Sequence, residues 1–211
     1  MKPRLFVIVF AALLALVGGT ARAELVLDQN YELVLPAQPA ESKGRIEVVE
    51  LFWYGCPHCY ALEPVLAQWS AAQPKDVVFR RLHADFGRWT QSARLFNALE
   101  AIGEEARLRK DLFDAIHLEH LQYTKETDVA DWLAQKGVAR EKFLAAYHAA
   151  AVQEKTKQAA LLTQAYGIDG VPGIVVAGKY RTSSAMVGGH ESLPAILDAL
   201  IAKARSEAAK N

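Results

Sequence analysis

Residues 45–64 read RIEVVELFWYGCPHCYALEP, and the two halves of this stretch follow different rules. Arg45 to Tyr54 is rich in β-branched and aromatic residues and almost continuously apolar, the pattern of a strand covered on both faces and therefore central in its sheet. Gly55 breaks the run. Cys56-Pro57-His58-Cys59 then opens a stretch of helical composition in which Pro57 falls in the first turn, where its missing N–H leaves nothing unsatisfied. Pro64 must kink or interrupt that helix. The reading is a strand, a sharp turn, and a helix that starts at a pair of thiols.

Those thiols are the only two cysteines among 211 residues. A bridge between them closes a tiny loop, which removes little entropy from the unfolded chain, so it is a poor structural staple and a better functional dithiol. Thiolate is the attacking species in disulfide exchange, and the free N–H groups and dipole of a helix N-terminus lower a thiol pKa. Cys56, first in the motif, is expected to be the exposed nucleophile. Cys59, one turn on, is expected to be the buried resolving thiol, with His58 the main tuning element of the Cys56 thiolate. Whatever stabilises that thiolate stabilises the reduced form and makes the disulfide a stronger oxidant, by ~30 mV per pKa unit for a two-electron couple.

Working outward, Val77 to His83 reads as a second strand ending at Asp85. From Arg88 to about Leu162 the pattern becomes helix after helix: SARLFNALEAIG, EEARLRKDLFDAIHLEHL, DVADWLAQKG and REKFLAAYHAAAVQEKTKQAALLTQAYG. Gly103, Gly137 and Gly167 stand where C-caps belong, and Thr127-Asp128 is placed to start the third helix. Strand character returns at Gly173 to Ala177 and around Tyr180, before a last helix from about Leu193. The expected fold is α/β, one mixed sheet flanked by helices and interrupted by an all-helical insertion at about 88–162.

The chain opens with Lys2 and Arg4, an apolar run from Leu5 to Val17, and the small-residue pattern Ala21-Arg22-Ala23, the layout of a secretory signal peptide over residues 1–23. The run is too short for a bilayer, which needs about 20 residues. A soluble exported domain over residues 24–211 is expected. Removing the leader takes Lys2, Arg4 and Arg22 from 24 basic residues, leaving 21 against 24 acidic. That balance gives no electrostatic reason to expect nucleic acid as a partner.

Glu50 is a carboxylate inside the apolar strand VVELFWY. It reads either as a strand-end residue reaching water or as a buried acid beneath the dithiol, moving protons to or from Cys59 with Arg81 or His83 as partner; burial would raise its pKa. A metal site is the nearest alternative for the thiols, with His58 as a third donor, but a closed site needs four ligands and no second cysteine pair exists. His117 and His120 can face together on a helix. Nothing in the sequence brings them to Cys56, and they read as surface residues. No metal and no cofactor is expected.

Taken together, the strand, CPHC, the helix with Pro64, the helical insertion and then GVPGIVVAGKYR at 170–181 resemble the DsbA family of thioredoxin-fold thiol:disulfide oxidoreductases. The resemblance covers essentially all of the chain after residue 23. It implies a thioredoxin fold, Cys56 as nucleophile, Cys59 as resolving cysteine, Pro172 as a cis-proline facing the dithiol, and Val171 offering backbone groups to an extended substrate. Pro64 matches the proline that kinks the active-site helix of the superfamily, and Glu50 the family's buried acid.

The resemblance further implies a periplasmic, monomeric dithiol oxidase that donates the Cys56–Cys59 disulfide to reduced, unfolded exported polypeptides and is reoxidised by a DsbB-like membrane quinone reductase. Recognition would be loose, through an apolar groove at Val171 and Pro172 that pairs with extended backbone. A disulfide isomerase or reductase is the alternative. Residues 24–44 leave no room for a dimerisation domain, and a reductase more often carries CGPC. Outside the enzyme class stand a copper carrier and a peptide-holding protein. The segment after Tyr180, RTSSAMVGGHESLP, falls where the family varies and is expected to shape the groove rim.

Overall fold

The computed structural model describes residues 23–42 and 44–210. All of the expected signal peptide except Ala23 lies outside the described residues. Twelve elements follow in order: β1 (Glu32–Leu33), β2 (Ile46–Phe52), α1 (Pro57–Ala71), β3 (Val77–His83), α2 (Thr90–Ala101), α3 (Glu105–His117), α4 (Glu126–Gln135), α5 (Arg140–His148), α6 (Ala150–Ala165), β4 (Gly173–Val176), β5 (Tyr180–Thr182) and α7 (Leu193–Ala208). The strands form one mixed sheet in the order β1-β5-β4-β2-β3. β2 runs parallel to β3 and antiparallel to β4. The helices between β3 and β4 form the all-helical part.

β2 has a neighbour on each side and only its first residue escapes full burial, which is why its sequence is apolar nearly throughout. Its two faces feed different cores. Val48 packs with Leu62 and Leu66 of α1 and with α7, whereas Val49 and Leu51 meet Ala159 and Tyr166. Phe52 and Tyr54 enter a third cluster made with Leu95, Phe113 and Leu133 of the helical part. Cys56 and Cys59 belong to that same cluster, so the thiols sit where the sheet meets the helices.

Gly103, Gly137 and Gly167 all have positive φ, between 65° and 83°, directly after the C-caps of α2, α4 and α6. Each is followed by a residue whose N–H reaches back across the last turn (Glu104 to Leu99 O, Val138 to Leu133 O, Ile168 to Thr163 O), the Schellman closure that favours glycine.

Three expectations along the helical part need correction. The third helix starts at Glu126 with Lys125 at its N-cap, so Thr127 and Asp128 lie inside the first turn rather than before it. The stretch 140–167 is two helices, broken at Ala149, whose ψ of 138° is extended. Phe143 and Tyr147 form one buried stripe and Val152, Thr156, Ala159 and Thr163 another. The five-residue step from Tyr147 to Val152 would set those stripes roughly 140° apart on a continuous helix of 100° per residue. Breaking at Ala149 lets both face the core. The helix expected to run to Leu121 ends at His117, and His120 beyond it has a φ of 61°. β1 went unforeseen; its two residues pair with Tyr180 and Arg181 of β5.

Candidate active site

The turn from β2 into α1 is shaped at Gly55, where a Cβ would run into the Tyr123 hydroxyl and the Trp53 ring, a space only glycine leaves open. Cys56 is then the N-cap of α1 and Pro57 its first residue; the helix continues through Pro64 without interruption. Cys56 caps with sulfur, its Sγ accepting from the Cys59 N–H at 3.3 Å and lying 3.5 Å from the Val171 carbonyl oxygen. Both cysteines are free thiols.

This geometry pulls the two pKa values apart. Cys56 is lowered from 9.0 to about 6, chiefly by the hydrogen bond from the Cys59 thiol, against the opposing effect of burial, and then by the backbone N–H groups of Cys59 and His58. His58, expected to be the main tuning element, contributes this backbone N–H and then its charge, both behind the Cys59 thiol. Cys59 is pushed far up, by burial first and then by Cys56 and the Glu50 carboxylate. Pro57 and His58 are exposed, but Cys56 is only 5% exposed, and the expected exposed nucleophile is corrected: its sulfur lies between the Cys59 N–H and the Val171 carbonyl.

Glu50 is fully buried in β2, directly opposite Arg81 of β3 and Ile174 of β4. The strand-end reading is therefore excluded. Arg81 Nε donates to its Oε2 at 3.0 Å, as expected, and Arg109 Nη2 donates to the same oxygen at 3.4 Å. Oε1 has no hydrogen-bond partner among the described residues. Burial raises the Glu50 pKa, and the two guanidinium groups oppose it. His83 does not join. Its Nδ1 lies 2.9 Å from the Ala84 carbonyl and its Nε2 2.7 Å from the Ser92 hydroxyl, and burial lowers its pKa to about 3.

Arg109 was missed in the sequence. It is 3% exposed on α3, pairs with Glu50, Glu63 and Glu105, and lies 4.0 Å over the Phe52 ring. Glu105 in turn accepts from the Tyr54 hydroxyl at 3.0 Å. The one signal in the sequence is that Glu105 and Arg109 are four apart on the stripe that also holds Leu108, Leu112 and Phe113, and charges on a buried stripe are paired.

Pro172 follows Val171 through a cis peptide bond, and the Val171 carbonyl brings this loop against Cys56. A groove of about 680 Å³ starts there and passes His58, Asp169, Arg181 and Ser184 to His190. The segment after Tyr180 does line its rim, tied by the Gly189 N–H to the Ser184 carbonyl at 2.8 Å and by His190 Nδ1 to Ser184 Oγ at 2.8 Å. Val171, Pro172 and Met186 give the groove apolar surface, and His58, Asp169 and Arg181 add polar groups. Among the described residues no cluster of three or more metal-ligating side chains forms, and His120 is exposed beyond the end of α3.

A strand, a dithiol at a helix N-cap and a facing cis-proline loop agree with the family comparisons. Residues 47–201 match the model of the DSBA-like thioredoxin domain. The chain belongs to the DsbA family. The thiol:disulfide interchange protein DsbA of Pseudomonas aeruginosa is 42% identical over 201 residues, 94% of this chain and 95% of that protein. The DsbA of Azotobacter vinelandii is 40% identical over 87% of this chain and 86% of its own. Among solved structures, P. aeruginosa DsbA matches with a TM-score of 0.84 at 43% identity, over 89% of this chain and 97% of that one. DsbA from Xylella fastidiosa matches at 0.78 and 31% identity, covering 84% and 96%. The fold is thioredoxin-like, and this DsbA-family chain is a thiol:disulfide oxidoreductase.

Proposed function

We propose that this oxidoreductase works as a dithiol oxidase in the periplasm, donating the Cys56–Cys59 disulfide to reduced, unfolded exported polypeptides. The observation that carries the direction is the split between the thiols, Cys56 lowered to about 6 and Cys59 pushed far up. A substrate thiolate attacks Cys56 Sγ of the disulfide, the S–S bond breaks, and Cys59 leaves with a proton. A second substrate thiolate attacks the substrate sulfur of the mixed disulfide and releases Cys56 as thiolate, a good leaving group at its lowered pKa. Two electrons pass from substrate to protein. The substrate gains a disulfide, and the protein ends as thiolate and thiol.

In this reading Cys56 is the nucleophile, Cys59 the resolving cysteine, His58 supplies a backbone donor and a charge beside Cys56, and Pro57 starts the helix that carries them. Val171 and Pro172 present backbone to an extended substrate. Glu50, its pKa raised by burial, exchanges the proton that Cys59 must gain and lose. The redox-active pair itself carries the electrons, with no cofactor, and a DsbB-like membrane quinone reductase reoxidises it. The chain acts as a monomer, exported by its first 23 residues.

The test is the reduction potential of the couple, measured in glutathione buffers by tryptophan fluorescence, with Trp53 three residues before Cys56 as reporter. A value well above the thioredoxin potential of about −270 mV supports a disulfide donor; about −120 mV is known for DsbA itself and is not calculated from this geometry. A value near thioredoxin's overturns the oxidase reading in favour of a reductase or isomerase.

A further inference from the structure

His117, the last residue of α3, reads as a surface histidine in the sequence, yet its half-buried ring reaches both flanks of the redox motif. Its Nε2 lies 2.8 Å from the carbonyl oxygen of Tyr54, two residues before Cys56. A carbonyl only accepts, so this nitrogen carries the hydrogen. The imidazole also lies parallel to the ring of Tyr60, the residue after Cys59, with centroids 4.8 Å apart and planes within 4°. Tyr60 is gripped again by α3 at its other end, where its hydroxyl donates to Asp114 Oδ1 at 2.6 Å. Asp114 Oδ2 accepts from Lys110 at 2.6 Å.

Asp114 and His117 are one turn apart and so share a face of α3. That face holds the strand side of the motif through a backbone carbonyl and the helix side through an aromatic ring. The segment between the two anchors contains the capping contact from the Cys59 N–H to Cys56 Sγ. Hydrogen bonds weaken steeply as distance and angle depart from their optimum, so the low pKa of Cys56 depends on how firmly these flanks are kept in register.

We propose that His117 is a positioning residue for the dithiol, holding Tyr54 and Tyr60 in the relative placement that keeps Cys56 Sγ at the N-cap of α1. It touches neither sulfur, and its effect passes through the turn and the first helical turn. The inference deepens the oxidoreductase reading and rests on it.

The test compares His117→Ala, His117→Gln and His117→Phe. Glutamine keeps a donor for the Tyr54 carbonyl without the stack; phenylalanine keeps the stack without the donor. Cys56 thiolate is titrated in the reduced protein by its absorbance near 240 nm, the potential is measured in glutathione buffers, and far-UV circular dichroism checks the fold. His117→Ala should raise the Cys56 pKa by about one unit, a tenfold loss of thiolate below the pKa, and lower the potential by ~30 mV. Each of the other variants should recover part of that shift. If His117→Ala melts earlier but titrates and equilibrates like the parent, His117 only packs and the proposal fails. If His117→Ala does not fold, parental values in both other variants overturn the proposal equally, and a shift in either supports it. Because the variants are read against the parent, a parental potential near thioredoxin's would sink the oxidase reading without touching this comparison.

Discussion

Lowering the pH from about 8 to about 4.5 should bend the reduction potential of the Cys56–Cys59 couple near pH 6, the value to which the Cys56 pKa is lowered. Above that pH the reduced pair holds one thiolate and one thiol, because Cys59 is pushed far up, and reduction takes up two electrons and one proton. Below it, two protons are taken up. A tenfold change in the equilibrium constant is ~30 mV for a two-electron couple, so the potential should change by ~30 mV per pH unit above the bend and ~60 mV below it. An ordinary pair, with both thiols at 9.0, would keep the steeper slope throughout this range. At pH 7 the difference amounts to about one unit, or ~30 mV in the oxidising direction.

Stability follows the same titration. The folded pKa of Cys56 lies below its unfolded value, so the thiolate stabilises the reduced folded chain above pH 6, and the gain disappears as pH falls through 6. The gain grows by about 1.4 kcal/mol per unit and levels off near 9. The oxidised form lacks this group and serves as the control, so the urea midpoint of the reduced protein should rise relative to it between pH 6 and pH 8. Glutathione equilibria across the range, followed by fluorescence, measure the bend. A single slope of ~60 mV per unit up to pH 8 would refute the lowered Cys56 pKa on which this reasoning rests.

Two substitutions test the charges behind the thiols. Glu50→Gln keeps the shape but cannot donate or accept the proton, and should slow reduction of the disulfide by dithiothreitol roughly 10²-fold in stopped-flow, with little change in the Cys56 titration. Unchanged rate and potential would show that another group serves Cys59. Arg109→Met removes the cation shared by three carboxylates at a site 3% exposed. It should cost about 3–5 kcal/mol in urea unfolding, and a loss below ~1 kcal/mol would mean that Arg81 and relaxation of the carboxylates suffice.

Much of this arrangement is legible because local rules carry it. An apolar run marks β2, Gly55 ends it, Pro57 suits a first helical turn, and the glycines after α2, α4 and α6 occupy Schellman positions. What escaped reading depends on the partner rather than on the segment. Ala149 lies in a run of good helix formers, and only the offset between two buried stripes shows that the helix must break there. Arg109 looks like one charge among many until Glu50, 59 residues earlier, is placed beside it by the packing of α3 on β2. His117 is similar: its significance lies in the Tyr54 carbonyl and the Tyr60 ring, neither of which α3 alone announces. The burial of Cys56 likewise depends on the Val171 carbonyl that lies against it, not on its rank in the motif.

The contact between Cys56 and the Val171 carbonyl spans 115 residues, and β2 finds its β4 partner only across the whole helical part. Closing so long a loop is entropically costly and slow compared with forming α1, whose cap is local. A chain emerging from synthesis therefore carries its thiol pair at a helix start long before the Val171–Pro172 loop exists. The reactive centre is completed late, by one of the last segments made, and a truncated or half-made chain would hold a dithiol without the loop that opposes it.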